Sequence, residues 1–432
     1  MPKVYYAAAR GQRTAGSGAI NPAPYLRNSA ESAYDPSSMA ERIILTVEKL
    51  ASGGDGIAFF EGQAVFVPFS IPGEKIACTI HQRFRDYSRA LPEEILEPSP
   101  HRVAPPCPVF GRCGGCSLQH IEYGKQLEYK AAAVVDSLRR IAKIEGVEPE
   151  IRSGAPYGYR NRAQLHFTDD HGLGFMEAES AASVRAPGCP IAAPCIDAWL
   201  KKQNRKSRPD KELKARIGER DRFVVFGQDE RLYVEGVDAQ AVAIVAGKKY
   251  IFPVRHFFQS NLAMAGALVE DAISGLSGER AVDLYAGAGL FAARLAERFR
   301  SVTLVESNAV SLEAARANLP TGSGKFVPTD VEAWTGGASA GAARGAPRID
   351  CVLADPPRAG LSPATRAWLK SADVGAFVYV SCDPVTMARD IGDLARSGWT
   401  LDSLALYDFY PQTGHIESLA RLSPPGRQAQ GG

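Results

Sequence analysis

Long apolar runs are missing from this chain. No stretch approaches the length of uninterrupted hydrocarbon needed to cross a bilayer, and the opening MPKVYYAAARGQRTAGSG lacks the apolar segment of a signal peptide. Membrane insertion is therefore excluded by this reading, and a cytoplasmic location is expected. An excess of one charge is missing too, with 50 Lys and Arg against 48 Asp and Glu. Contact with nucleic acid would have to come from local basic patches rather than from the global field. Internal repeats are also absent. What is there, 45% hydrophobic and 23% charged residues over 432 positions, is a globular composition too long for one ordinary domain. The 8 cysteines, in a reducing compartment, point to metal binding, catalysis or packing rather than to structural disulfides.

Residues 1–40 are rich in Ala, Gly, Ser, Asn and Pro without period and read as a disordered tail or as a start assigned too far upstream. Over 41–98 the runs ILTVEKL, GIAFF, AVFVPF and KIACTI, punctuated by GGDG, EGQ and IPGE, predict a small β-barrel. Its far edge, HQRFRDYSRA, interleaves Arg83, Arg85 and Arg89 with Phe84 and Tyr87, a pattern that suits phosphate contact with base stacking and equally suits a solvated strand face. Residues 99–250 form a central α+β region. A cysteine-rich loop comes first, then a helix presenting Leu127, Val134, Leu138 and Ile141, then short strands interrupted by KKQNRKSRPDKELKARIGERDR, an exposed helix or loop. From 251 to 432 the runs AVDLYAG, SVTLVE, IDCVLAD and AFVYVSC alternate with helical patterns, which predicts a parallel sheet with crossover helices.

In such a sheet ligands bind beyond the carboxyl ends of the strands, so the residues closing each run carry the chemistry. Asp283 closes the first, and Gly287 and Gly289 let the backbone approach a ligand at a helix start. Glu306 closes the second, placed to accept hydrogen bonds from both hydroxyls of a ribose. Ala292 keeps a dinucleotide fingerprint open, but the stiff DPPRAGL turn, with Asp355 at the mouth, tilts the reading towards S-adenosylmethionine. Cys382 falls between a strand and a helix that has Asp383 at its N-cap and Pro384 in its first turn. A thiolate there can add to carbon 6 of a uracil and turn the inert carbon 5 into an enolate carbon. Glu417 in GHIESLARL is the candidate base for the carbon 5 proton, with a surface carboxylate as the plain alternative.

CPVFGRCGGCSLQH sets Cys107, Cys113 and Cys116 at C-x5-C-x2-C, and Cys189 in RAPGCPI completes a four-thiolate set suited to zinc or to an iron–sulfur cluster. The C-x3-C-x2-C spacing and open iron of radical chemistry are not matched.

With these motifs, GYRNRA (158–163), FFQSN (257–261), SCDPVTMARD and GHIE, the chain resembles the TRAM-containing RNA uridine-5 methyltransferases from about Glu41 to Leu422. The resemblance implies an OB-like TRAM barrel, a central α+β iron–sulfur domain and a Rossmann-like class I α/β methyltransferase domain. It implies a 4Fe-4S cluster on Cys107, Cys113, Cys116 and Cys189, and S-adenosylmethionine held by Gln259, Tyr285, Glu306, Asp330 and Asp355. Cys382 becomes the nucleophile and Glu417 the base. The partner implied is structured RNA, ribosomal before transfer RNA, and the protein is expected to be a monomer with no membrane association. Leu290 stands where many members have Asn, and Ala286 where Cys is frequent; Cys78, Cys195 and Cys351 match no motif and read as packing. Two rivals are an RNA cytidine-5 methyltransferase, weakened because Arg358 stands in the region of its second cysteine, and a non-catalytic RNA-binding maturation factor.

Overall fold

Alternating burial shapes the first unit. In the computed structural model, which describes residues 41–170, 172–205, 211–218, 220–337 and 347–426, six strands form one sheet. They are β1 (Glu41–Thr46), β2 (Lys49–Leu50), β3 (Gly56–Phe60), β4 (Gln63–Val67), β5 (Lys75–Arg83) and β6 (Tyr87–Glu97), in the order β1-β5-β6-β4-β3-β2. Ile43, Leu45, Ala58, Val65, Val67, Ile76 and Cys78 turn inward at every second position, and the sheet curls until β1 touches β3. The tail expected over 1–40 lies outside the described residues.

Helix α1 (Tyr123–Ser137) runs on into a π-helical turn, Leu138–Ala142, and buries Leu127, Val134 and Leu138 much as their spacing predicts. Strand β7 (Glu150–Arg152) follows. A five-stranded sheet holds β8 (Arg162–Phe167), β9 (Leu173–Met176), β10 (Ser183–Arg185), β11 (Arg222–Gln228) and β12 (Arg231–Val234), in the order β10-β9-β8-β11-β12. Helices α2 (Pro194–Asn204) and α3 (Lys211–Ile217) pack on it through Ile196, Leu200, Leu213 and Ile217. The charged run is thus largely helical with an apolar inner side. Residues 206–210 lie outside the described residues.

After the hairpin of β13 (Gln240–Val245) and β14 (Lys248–Pro253) comes the largest sheet. Helix α4 (Leu262–Ile273) precedes its strands: β15 (Gly278–Leu284), β16 (Phe299–Val305), β17 (Gly324–Val327), β18 (Cys351–Ala354), β19 (Phe377–Ser381), β20 (Thr400–Tyr407) and β21 (Glu417–Ser423). Between them lie α5 (Ala292–Leu295), α6 (Ala309–Asn318), α7 (Val331–Gly336), α8 (Pro363–Ser371) and α9 (Pro384–Ala395). The order is β17-β16-β15-β18-β19-β21-β20-β7, parallel from β17 to β19, with β21 antiparallel to both its neighbours. β18 and β19 are buried at every position because helices cover both faces. The winding reverses between β15 and β18, which opens a crevice at their carboxyl ends.

The 99–250 segment is shared between two cores. Val134, Leu138 and Ala142 pack with Met387 and Ile391 of α9, β7 pairs with β20, and β13–β14 join the core of α4. No described helix is long and apolar enough to cross a membrane.

Candidate active site

The antiparallel return of β21 brings the two proposed reactive groups together. Ser381 of β19 lies opposite Ser418 of β21, so Cys382, just past the end of β19, and Glu417, the first residue of β21, are neighbours, near enough for the Glu417 charge to act on the thiol. The loop is fixed by the cap that the sequence predicts: Asp383 Oδ1 accepts hydrogen bonds from Val385 N (3.0 Å) and Thr386 N (2.8 Å), and Pro384 opens α9. Burial and then the charges of Glu417 and Asp355 push the Cys382 thiol up to about 12, against the pull of Arg358. Burial raises both carboxyls as well, and Asp355 raises Glu417 further.

The glycine loop after β15 forms the other wall. Glu306 accepts Gly287 N at 2.9 Å and Asn308 N at 2.7 Å, one on each oxygen, which leaves lone pairs for a diol. Gly287 and Gly289 have φ of 51° and 80°, and a Cβ on Gly289 would stand 3.0 Å from Ala315 Cβ and Leu319 Cδ1. Tyr285 also adopts a left-handed φ of 62°, unusual for so bulky a residue; its buried hydroxyl lacks a well-formed hydrogen bond, with Thr365 and Glu332 beside it. Asp283, fully buried with neither oxygen well partnered, is the residue that sequence reasoning left without a role. Gln259 is half-buried in the loop before α4, and Asp330 is exposed at the start of α7 with no capping bond from its side chain. An orphaned buried carboxylate, a diol acceptor and an open glycine turn fit S-adenosylmethionine. Leu290 packs into the apolar core.

Between β20 and β21 the chain makes a loop held from three sides. Gln126 and Gln412 exchange hydrogen bonds, Gln126 Nε2 to Gln412 Oε1 (3.0 Å) and Gln412 N to Gln126 Oε1 (3.1 Å), and Gln412 O accepts Ser117 N (3.0 Å) and Leu118 N (2.9 Å). Lys130 Nζ donates to Asp408 Oδ1 (2.6 Å) in a buried ion pair. His415, lowered to about 4 by burial and by Arg358, Lys130 and Arg160, is neutral near pH 7 and its Nδ1 can accept Arg358 Nη2 at 3.3 Å. Gln126, Gln412, Lys130 and Asp408 carry no sequence signal, because each is chosen by tertiary packing, whereas His415, Arg358 and Arg160 lie within GHIE, DPPRAGL and GYRNRA.

Cys107, Cys113, Cys116 and Cys189 line one cavity of about 510 Å³, together with Arg160, Gln164 and His166. Burial, offset by Gln119 and reinforced by the other three thiols, pushes Cys116 up to about 12. Among the described residues no group of three or more His, Cys, Asp or Glu is arranged to hold a metal ion. Cys78 and Cys351 are fully buried, as packing residues should be, and Cys195 is half-buried. On the first unit Phe84 stacks on Tyr87 at 4.5 Å, while Arg83 pairs with Glu41, and Arg89 with Asp55 and Glu179.

Comparison with known proteins gives a consistent picture. A family model described as tRNA (uracil-5-)-methyltransferase matches residues 345–423, and a TRAM domain model matches residues 41–91. The chain is similar to the 23S rRNA (uracil(1939)-C(5))-methyltransferase RlmD of Shewanella amazonensis, at 30% identity over 88% of this chain and 96% of that protein. The RlmD of Pectobacterium atrosepticum is 31% identical over 88% and 93% respectively. Among solved structures it resembles the Pyrococcus abyssi tRNA (uracil-54, C5)-methyltransferase in complex with S-adenosyl-L-homocysteine. That likeness has a TM-score of 0.66 and 25% identity, covering 88% of this chain and 100% of that one.

Proposed function

The chain belongs to the RNA (uracil-5-)-methyltransferase family, and we propose that it methylates carbon 5 of a specific uridine in structured RNA, with large-subunit ribosomal RNA as the favoured substrate. The observation that carries this reading is the nearness of Cys382 to Glu417 at the carboxyl end of β19, where the register sets Ser381 opposite Ser418. S-adenosylmethionine supplies the electrophilic methyl group; Gln259, Tyr285, Glu306, Asp330, Asp355 and the orphaned Asp283 are the residues that would hold it.

The Cys382 thiolate adds to carbon 6 of the uracil, and the ring electrons gather at carbon 5, which takes the methyl group. Glu417 then accepts the carbon 5 proton as the bond from sulfur to carbon 6 breaks, which restores the thiolate and the ring double bond. The target base must leave its stack to reach this depth. RlmD relatives support ribosomal RNA, and the likeness to the Pyrococcus protein supports transfer RNA as a second reading.

The four thiols line one cavity, and a 4Fe-4S cluster on Cys107, Cys113, Cys116 and Cys189 is the reading we favour. Since methyl transfer is not a redox reaction, its role here is structural. A monomer working in the cytoplasm completes the proposal.

The decisive experiment supplies labelled methyl donor and unmodified ribosomal and transfer RNA to the purified protein, then identifies the labelled nucleoside. Label in 5-methyluridine, abolished by Cys382→Ala, is expected. Label in 5-methylcytidine, or full turnover by the alanine variant, would overturn the reading.

A further inference from the structure

Residues 159–162 thread between the two loops that complete the crevice. Tyr159 Oη donates to Pro411 O at 2.9 Å, Asn161 N donates to Ser260 O at 2.6 Å beside Gln259, and Asn161 Oδ1 accepts Leu262 N at 3.1 Å. The residues on either side of Asn161 are arginines. Arg160 and Arg162 are half-buried, and the Arg160 guanidinium lies 6.0 Å from the ring of Tyr410, on the loop that leads to Glu417.

Neither arginine has a carboxylate within ion-pair distance among the described residues. Several other arginines are paired with carboxylates, Arg112 with Glu177, Arg89 with Glu179 and Arg220 with Glu235. What Arg160 and Arg162 do contact are carbonyls, Arg160 Nε donating to Arg162 O (3.1 Å) and Arg162 Nη2 to Arg255 O (3.3 Å). Arg162 Nε is buried without any partner. Two like charges are thus held side by side and partly desolvated, with no carboxylate in contact; Arg160 also borders the cavity of the four cysteines, and Glu235 acts on Arg162 only from beyond ion-pair distance. Such an arrangement is unfavourable in the empty site and becomes favourable when an anion enters.

We infer that Arg160 and Arg162 form an anion site for the phosphodiester backbone flanking the target nucleotide, and hold it while the base reaches Cys382. The inference rests on the uridine methylation reading. Guanidinium groups suit phosphate oxygens through paired donors, and the anchoring of Asn161 to the cofactor loop would fix the phosphate relative to the methyl donor. The carboxylate of the methyl donor has related chemistry, so the test must separate the two sources.

The kcat/KM for an unmodified large-subunit ribosomal RNA transcript is measured over a salt series for wild type, Arg160→Gln, Arg162→Gln and the two lysine variants. Affinity for S-adenosylhomocysteine and the thermal midpoint are measured alongside. Each glutamine variant should lose roughly tenfold in kcat/KM and flatten the salt dependence by about 0.7 to 0.9 in log–log slope, as one lost phosphate contact requires. The lysine variants should retain the slope, and S-adenosylhomocysteine binding should be unchanged throughout. An active wild type whose glutamine variants keep its slope and kcat/KM would overturn the phosphate assignment and leave the methylation reading intact. Weakened S-adenosylhomocysteine binding with the slope intact would overturn it in favour of the donor's carboxylate. A wild type that transfers no methyl group to uridine in any RNA would overturn the methylation reading, and this inference with it.

Discussion

A thiol pushed up to about 12 is almost wholly protonated at neutral pH, so Cys382, the proposed nucleophile, would have to lose its proton before adding to a base. Burial is the main cause and the Glu417 charge the next, which couples the two reactive groups. Both must lose a proton to act, and both are held above their ordinary range, so kcat/KM should climb steadily from about pH 6.5 to about pH 9. A profile flat over that window would contradict the assignment. Glu417→Gln removes a negative charge beside the sulfur and should lower the thiol pKa while removing the base. Turnover should fall by about 10²- to 10⁴-fold, and a denaturation-resistant protein–RNA adduct should accumulate on gels. Cys382, Glu306 and Asp355 are legible in the sequence because each closes an apolar run. Asp283 is legible in place but not in role, since its orphaned carboxylate depends on what surrounds it. Arg160 and Arg162 lie in GYRNRA and Tyr285 in AVDLYAG, but no local pattern reveals the left-handed φ of Tyr285 or that the two arginines meet carbonyls rather than a carboxylate.

The loop between β20 and β21 is the element on which positioning of Glu417 depends. At Gly414, three residues before Glu417, the backbone touches the first unit: an added Cβ would fall 2.4 Å from both C and O of Gly53. Gly414 N also donates to Ser117 Oγ at 3.1 Å in the cysteine-rich loop. Gly414→Ala should therefore force the 53–54 turn and this loop apart, at about 1 to 3 kcal/mol of stability, because backbone cannot yield as a flexible side chain can. Thermal unfolding should report the loss, and kcat should fall more than affinity for S-adenosylhomocysteine. An unchanged midpoint and unchanged kcat would show that the contact is dispensable. The alternation of strands and helices from β15 to α9 is readable because buried parallel strands are continuous apolar runs. The allegiance of α1 and β7 is not readable, because three residues of β7 pair with β20 across some 250 positions of chain. A change of texture along the sequence marks a change of local pattern, not which core an element joins.

Across the whole molecule the cysteine-rich loop lies where the first unit, α1 and the β20–β21 loop meet. Ser117 N and Leu118 N, directly after Cys116, donate to Gln412 O, and Gln126 donates to Leu118 O as well as exchanging bonds with Gln412. A guest that ties Cys116 to Cys107, Cys113 and Cys189 would therefore stiffen the support of Glu417 without touching the reaction. Two consequences distinguish this from an electron-transfer role. Cys116→Ser should lose iron and acid-labile sulfide, lower the thermal midpoint and reduce kcat, while S-adenosylhomocysteine still binds in the distant glycine loop. Chemical reduction of the wild-type protein, with iron retained, should leave the rate of methyl transfer where it was. A rate that tracks the redox state would assign the cluster a chemical part, and an unimpaired, iron-free Cys116→Ser variant would remove it from the mechanism altogether. The buried pair of Lys130 with Asp408 works in the same direction, since it fixes α1 to the start of the loop at a depth where one charge without the other would be strongly destabilising.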